Sequence, residues 1–281
     1  METLESKVNG YLHANARGRA TNEACGPFHI GFDADNGNPF LNYAVPEPNA
    51  EPTPEHIAAL IAAFEKRDRT PRLEFAPGGA PGVEEALKEA GFEDQQRLPF
   101  MIVTAAELVG PLDVDGVEVV VLDATAGDEE LRGVAQAQWE AFVGEAGGES
   151  GESGKEHDGD FSAEVAGLRS SLESGKFAVL ARGAAGTADA GVPMAGGSSG
   201  PGIDGTTEIG GIATRTAYRR RGIGAAVTAA LTRHLLEATG LDCVWLSPAG
   251  PDQERLYATV GYRSLGEMLF IWKPGDAAAA E

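Results

Sequence analysis

Eight residues, Tyr218 to Ala225, read Tyr-Arg-Arg-Arg-Gly-Ile-Gly-Ala and join a predicted strand, Glu208 to Thr214, to a predicted helix, Gly222 to Thr239. This constrains the fold more than any other stretch, because it demands a strand–turn–helix unit with an accessible helix start. The first turn of a helix has backbone N–H groups without intrahelical partners and a partial positive charge. Glycines let the backbone close on an anion, and arginines add fork-shaped donors. The turn is predicted to hold a phosphorylated ligand.

The three arginines stand against an acidic background, a formal net charge of −21 over 281 residues. That balance excludes general nucleic-acid binding and docking on anionic membrane, both of which need a basic surface. A cationic substrate or partner suits it better. Chain length allows one or two domains, and the apolar fraction of 42% supports a folded core. The two cysteines, Cys25 and Cys243, form no disulfide or zinc framework, and Cys243 reads as a core thiol. The five histidines are scattered, so no metal is expected. Met-Glu-Thr-Leu-Glu-Ser at the N-terminus is too acidic and polar for a signal peptide. No apolar run approaches the about 20 residues of a membrane span. The expectation is a soluble, reduced, cytoplasmic protein without a membrane or nucleic-acid partner; an oligomer is compatible with it.

The second half alternates strand and helix signals. Val117 to Asp123 is a β-branched strand, and Leu131, Val134, Ala135, Trp139 and Phe142 recur at helical spacing. Gly144 to Asp160 is rich in Gly, Ser and acid; it reads as a solvated loop or as a mobile rim that attracts a cation. Ser162 is placed to cap the next helix and Gly175 to end it. Strands follow at Phe177 to Ala181 and Pro193 to Gly197. After the arginine turn, Ile223, Val227, Leu231 and Leu235 line one helix face, with Gly240 as its stop. Cys243 to Leu246 reads as a strand, Asp252 to Val260 as a helix, and Tyr262 to Trp272 as a terminal strand or hairpin. Two strands joined through a helix imply a parallel pair, and ligands in such sheets bind beyond the strands' carboxyl ends.

The first half repeats the end of the second. Leu73-Glu-Phe-Ala-Pro, a helix closing Leu87-Lys-Glu-Ala-Gly-Phe92 and the run Leu98 to Val103 match Val244-Trp-Leu-Ser-Pro, Tyr257-Ala-Thr-Val-Gly-Tyr262 and Met268 to Trp272. Thr53-Pro54 caps an earlier helix bearing Ile57, Leu60, Ile61 and Phe64, the match of the helix after the arginine turn. This copy has neither the glycine pair nor the arginines, and Leu87 stands where Tyr257 should. The boundary is placed near Val109 to Val117, giving domains of residues 1–112 and 113–281.

Among phosphate-binding motifs, a P-loop is excluded because Gly224 precedes Ala225-Ala226 rather than Lys-Ser/Thr. A dinucleotide fingerprint fails at Val227, and Asp242 precedes its strand instead of following one. Arg219-x-x-Gly222-x-Gly224 after a strand resembles the Arg/Gln-x-x-Gly-x-Gly/Ala motif of the GNAT family of N-acetyltransferases. Leu256-Tyr257-Ala-Thr-Val-Gly261-Tyr262 is similar to that family's Leu-Tyr-x-x-x-Gly-Phe segment. The resemblance covers Val117 to Lys273, with the first half as a degenerate copy.

The resemblance implies an α/β fold of two GNAT-like domains. Each would be a mixed twisted sheet flanked by helices, with a parallel strand pair splayed at the acyl-CoA site. It implies transfer of an acetyl group from acetyl-CoA, as co-substrate, to a primary amine, with the alternative of a non-catalytic acyl-CoA-binding sensor. The pyrophosphate would sit on Arg219, Arg220, Arg221, Gly222, Ile223, Gly224 and Ala225, and the pantetheine arm along Ile212, Ala213 and Thr214. Tyr257 matches the family's general acid. Glu208, fourteen residues before Gly222, matches the general base of members that use a strand glutamate. The family's asparagine seven residues before the tyrosine is replaced here by Gly250. The acidic charge favours a small cationic acceptor.

Overall fold

The computed structural model describes residues 4–19, 21–33, 42–110, 112–142 and 159–274. The acidic stretch Gly144 to Asp160 lies outside them except for Gly159 and Asp160. In chain order the elements of the first half are α1 (Leu4–Arg17), β1 (Thr21–Cys25), β2 (Phe28–Phe32), β3 (Tyr43–Pro46), α2 (Pro54–Glu65), β4 (Arg72–Phe75), α3 (Val83–Glu89) and β5 (Glu93–Thr104). Then come β6 (Val117–Leu122), α4 (Asp128–Phe142), α5 (Ser162–Glu173), β7 (Ala178–Gly183), β8 (Pro193–Ser199) and β9 (Thr206–Thr214). The chain closes with α6 (Ile223–Ala238), β10 (Cys243–Leu246), α7 (Pro251–Val260) and β11 (Arg263–Trp272). No described helix is long and apolar enough to cross a membrane.

The chain divides into two units. One comprises Met1–Met101, Ser247–Gly250 and Ser264–Glu281, the other Ile102–Leu246 and Pro251–Arg263. The sequence boundary at 112/113 differs from this partition, and β11, read as part of the second domain, falls almost wholly in the first unit. It pairs antiparallel with β4, Leu269 opposite Phe75 through Trp272 opposite Arg72. Its Leu269 and Ile271 are fully buried beside Leu73, Phe75, Leu60 and Phe64. The alternation of buried and part-exposed residues in β11 supplies one apolar face, and that face completes the first unit's core rather than the second's.

Strand order in the first unit is β1-β2-β3-β4-β11-β5. β3 and β4 are parallel at Ala44 opposite Leu73. Thr53 caps α2 as expected: its hydroxyl accepts from His56 N (3.4 Å), and His56 Nδ1 accepts from Thr53 N (3.2 Å). The start of α2 is therefore filled by the protein's own polar groups, and Glu55 adds a negative charge there. Beyond the parallel pair, Asn49 N donates to Gly79 O (2.8 Å). The buried Asn9 side chain holds both the N–H and the C=O of Ala76, each at 2.8 Å. These bonds close the place where the second copy is expected to be open.

The first unit also contains a titration hazard. The rings of His13 on α1 and His29 on β2 meet edge-on at 5.5 Å. Burial holds both imidazoles below their ordinary value; for His29 the neighbouring His13 and Arg17 act in the same direction, while Glu47 opposes. A histidine depressed in the folded state contributes stability above its unfolded value, and that stability is lost as pH falls through the folded value. Urea midpoints are therefore expected to drop between pH 7 and 5, and His29→Gln to flatten the drop; equal slopes in variant and parent would refute the assignment.

In the second unit the order is β10-β9-β8-β7-β6. Leu131, Val134 and Ala135 of α4 pack with Val165 and Leu172 of α5 over Leu180. α6 ends where expected, before Gly240 at φ +70°. One expectation is corrected: Ser162 is the first residue of α5 rather than its cap. Asp160 Oδ1 accepts from Ser162 N at 3.0 Å and also binds its hydroxyl. The Asp160 carboxylate thus takes up the N–H at the start of α5, and the serine hydroxyl donates to it instead of accepting from the helix.

Candidate active site

β9 and β10 are parallel, as predicted, but only from Thr206 opposite Cys243 to Glu208 opposite Trp245. β9 then runs on to Thr214 while β10 stops at Leu246. On its other edge β9 pairs with β8, and the register slips there: Ser198 faces Gly210, yet Gly196 faces Ala213. Gly211 and Ile212 thus share the place opposite Gly197, a β-bulge. Gly211 supplies the left-handed backbone a bulge needs, φ +62°. The adjacent glycines Gly210 and Gly211 are the sequence signal for this bend.

Past Thr214 the chain makes a short 3₁₀ turn, Thr216–Tyr218, and then the arginine turn. Arg219 folds back, its Nε donating to Thr214 O at 3.0 Å, and so pins the turn to the strand end. Arg220 is exposed and left-handed, φ +63°. Arg221 is exposed, with its guanidinium 5.6 Å from the Tyr218 ring centre. Gly222 starts α6 at φ +81°, and no side chain caps the helix. The N–H groups of its first turn lack the side-chain acceptor that α2 has.

The two glycines of the motif have different duties. Gly222 is needed for its backbone angle, since a Cβ there would meet nothing closer than Val114 Cγ2 at 3.7 Å. Gly224 is needed for packing: a Cβ would lie 3.1 Å from Leu256 Cδ1 and 3.3 Å from Thr214 Oγ1. The end of β9, the start of α6 and α7 converge on this one position. Ile223 is buried. Arg221, Gly222 and Ala225 line an open cleft of about 720 Å³, together with Thr259 and with Asp113 and Asp115 from the linker. Of the expected pantetheine positions, Ala213 is buried, while Ile212 and Thr214 are half-buried.

Tyr257 is 8% exposed on α7. Its ring lies 6.1 Å from that of Tyr262, whose hydroxyl shares a 2.7 Å hydrogen bond with Thr232. Burial raises the Tyr257 phenol to about 12, and that of Tyr262 further. Tyr262 packs beside Tyr257. Glu208 is half-buried on the last paired step of the ladder. Among the described residues no group of three or more His, Cys, Asp or Glu is placed to hold a metal.

A bulged strand, a parallel partner that stops short and an uncapped glycine helix start thus meet in the second unit. Residues 203–271 match the family model described as FR47-like protein. None of the curated proteins matches the chain. Among solved structures, a GCN5-related N-acetyltransferase from Kribbella flavida is similar over 99% of each chain at 23% identity, with a TM-score of 0.76. A tandem GNAT protein from the clavulanic acid biosynthesis pathway is similar over 89% of this chain and 80% of its own, at 14% identity and TM-score 0.57. A GCN5-related N-acetyltransferase from Sphaerobacter thermophilus has the same identity and TM-score, over 89% and 78%. The fold is that of the GNAT N-acetyltransferases.

Proposed function

We propose that this chain transfers an acetyl group from acetyl-CoA to a primary amine of a small cationic molecule, by direct attack, in its second unit. The observation that carries the reading is the convergence at Gly224 of the uncapped α6 start, the bulged end of β9 and the helix bearing Tyr257. The N–H groups of residues 222–225 and the Arg221 guanidinium suit a diphosphate, and the edge of β9 left open beyond Glu208 suits an amide-bearing arm.

The amine must first lose a proton, because an ammonium of pKa about 10 has no lone pair. Glu208 is the base we assign, acting directly or through water. The neutral nitrogen then attacks the thioester carbonyl carbon, and backbone N–H near Ile212 takes the oxyanion. As the C–S bond breaks, Tyr257 donates a hydrogen bond to the departing sulfur. Full transfer from a phenol at about 12 to a thiolate of ordinary pKa about 8.5 is uphill by roughly 5 kcal/mol. The proton that neutralises sulfur therefore originates on the attacking nitrogen, and the products are the amide and the free thiol. The net charge of −21 supports a cationic acceptor.

Calorimetric titration with acetyl-CoA tests the cradle. One site per chain is expected, weakened about tenfold in Gly222→Ala, because a left-handed angle costs a non-glycine residue about 1–2 kcal/mol. Two sites would contradict the closed first unit, and none would remove the acetyl-CoA reading. A single site with no acetylation across a panel of polyamines and amino sugars would make the chain an acyl-CoA sensor.

A further inference from the structure

We propose that Gln138 of α4 is a positioning residue that sets the direction of the Ile212 N–H through the bulge of β9. This rests on the acetyl-transfer reading above. Gln138 Nε2 donates to Gly211 O at 3.0 Å, across 73 residues of sequence. The amide sits where a side chain at 211 would begin: a Cβ on Gly211 would be 2.4 Å from Gln138 Nε2. Gly211 is thus held by its own left-handed angle and by this donor together.

No cis peptide occurs among the described residues. In a trans peptide the C=O and the following N–H point in opposite directions. A carbonyl drawn towards α4 at Gly211 therefore turns the N–H of Ile212 away from α4. The same helix holds the other end of the segment. Glu140 Oε2 accepts from Arg215 Nε at 2.5 Å, and Arg215 Nη1 donates to Pro193 O at 2.7 Å. Gln136 Nε2 steadies Glu140 at 2.9 Å. α4 thereby pins residues 211 and 215, on either side of Ile212. A bulge without such a clamp can rock, because its extra residue has no ladder partner.

Two substitutions separate a directed donor from simple packing. Gln138→Leu removes the donor, whereas Gln138→Glu keeps the shape but sets a carboxylate against the Gly211 carbonyl. Both are expected to lower kcat about tenfold to a hundredfold, less than or equal to the loss of an oxyanion donor itself, with KM for acetyl-CoA within about twofold. Both should also speed amide hydrogen exchange at Ala213, the first residue past the bulge to rejoin the ladder opposite Gly196, at least about tenfold without changing exchange in β7. Wild-type kcat and exchange in Gln138→Glu would overturn the proposal in favour of packing. If the parent protein acetylates no amine, the exchange result still decides the clamp while the catalytic reading fails separately. In the unaltered chain the Gln138 side-chain amide protons must be protected from solvent exchange; free exchange there would overturn the clamp even if the variants fail to fold.

Discussion

Replacing Tyr257 with Phe is expected to lower kcat about tenfold to a hundredfold while leaving acetyl-CoA affinity within about twofold, since a hydrogen bond to a charged partner is worth about 1.5–3 kcal/mol. The ring is buried against Tyr262, and the substitution keeps the ring and removes only the hydroxyl. Loss of packing therefore does not explain a lower rate. The pH profile sharpens the test. With the phenol raised to about 12, Tyr257 stays protonated throughout the neutral and moderately alkaline range, so parent and variant should share the same profile shape below pH 10. An alkaline limb present in the parent and absent in the variant would assign Tyr257 a titrating role and sink the hydrogen-bond reading.

The same two tyrosines limit the fold at high pH. A phenol raised in the folded state contributes stability that is fully present below its unfolded value near 10 and is lost as pH rises through the folded value. Alkaline unfolding is thus expected to begin at about pH 10 and to be delayed in Tyr262→Phe relative to any disruption of its Thr232 partner.

The second large effect concerns Gly261, the glycine of the Leu-Tyr-x-x-x-Gly-Tyr segment. Its φ is +105°. A Cβ on it would fall 2.2 Å from the carbonyl oxygen of Glu107 and 3.0 Å from its carbonyl carbon. Those are backbone atoms held in place: Val109 N donates to Val260 O at 3.0 Å, and Arg263 Nε reaches Glu107 Oε1 at 2.7 Å. Neither side can yield as a side-chain tip would. Gly261→Ala should cost about 3 kcal/mol or more, from backbone strain and overpacking together. Denaturant unfolding of the second unit measures it, and a loss below about 1 kcal/mol would mean that the 107–109 segment moves aside readily. Gly240→Ala is a useful contrast: it shares the left-handed angle, φ +70°, but nothing lies within 4 Å of its Cβ position.

Elements with strong local signals were legible before any coordinates. The 3.6-residue spacing of Ile223, Val227, Leu231 and Leu235 located α6, and glycine at 240 ended it. The Thr53-Pro54 cap located α2 to the residue. Tyr218 to Ala225 was correctly placed between a strand and a helix, because glycine angles and uncapped helix starts are written within a few neighbouring residues. Weaker local signals do not specify their elements. α1 and β1 to β3 carry short, mixed runs whose apolar residues become a face only against the rest of the first unit. Ser162 has the residue type of a cap, while Asp160 has the reach.

What the sequence determined by itself is the order of elements along the second half, the arginine–glycine turn between a strand and a helix, and the lack of such a motif in the first half. These depend on backbone angles and periodicities, which are set by residues close in the chain. The tertiary structure alone decided where β11 is buried, since an alternating strand specifies a face and not the sheet it completes. It decided too that Gly224 serves helix packing while Gly222 serves the turn, and that Gln138 meets the bulge of β9. Each of these is a meeting of residues distant in the chain, and no local preference of either partner encodes the distance between them.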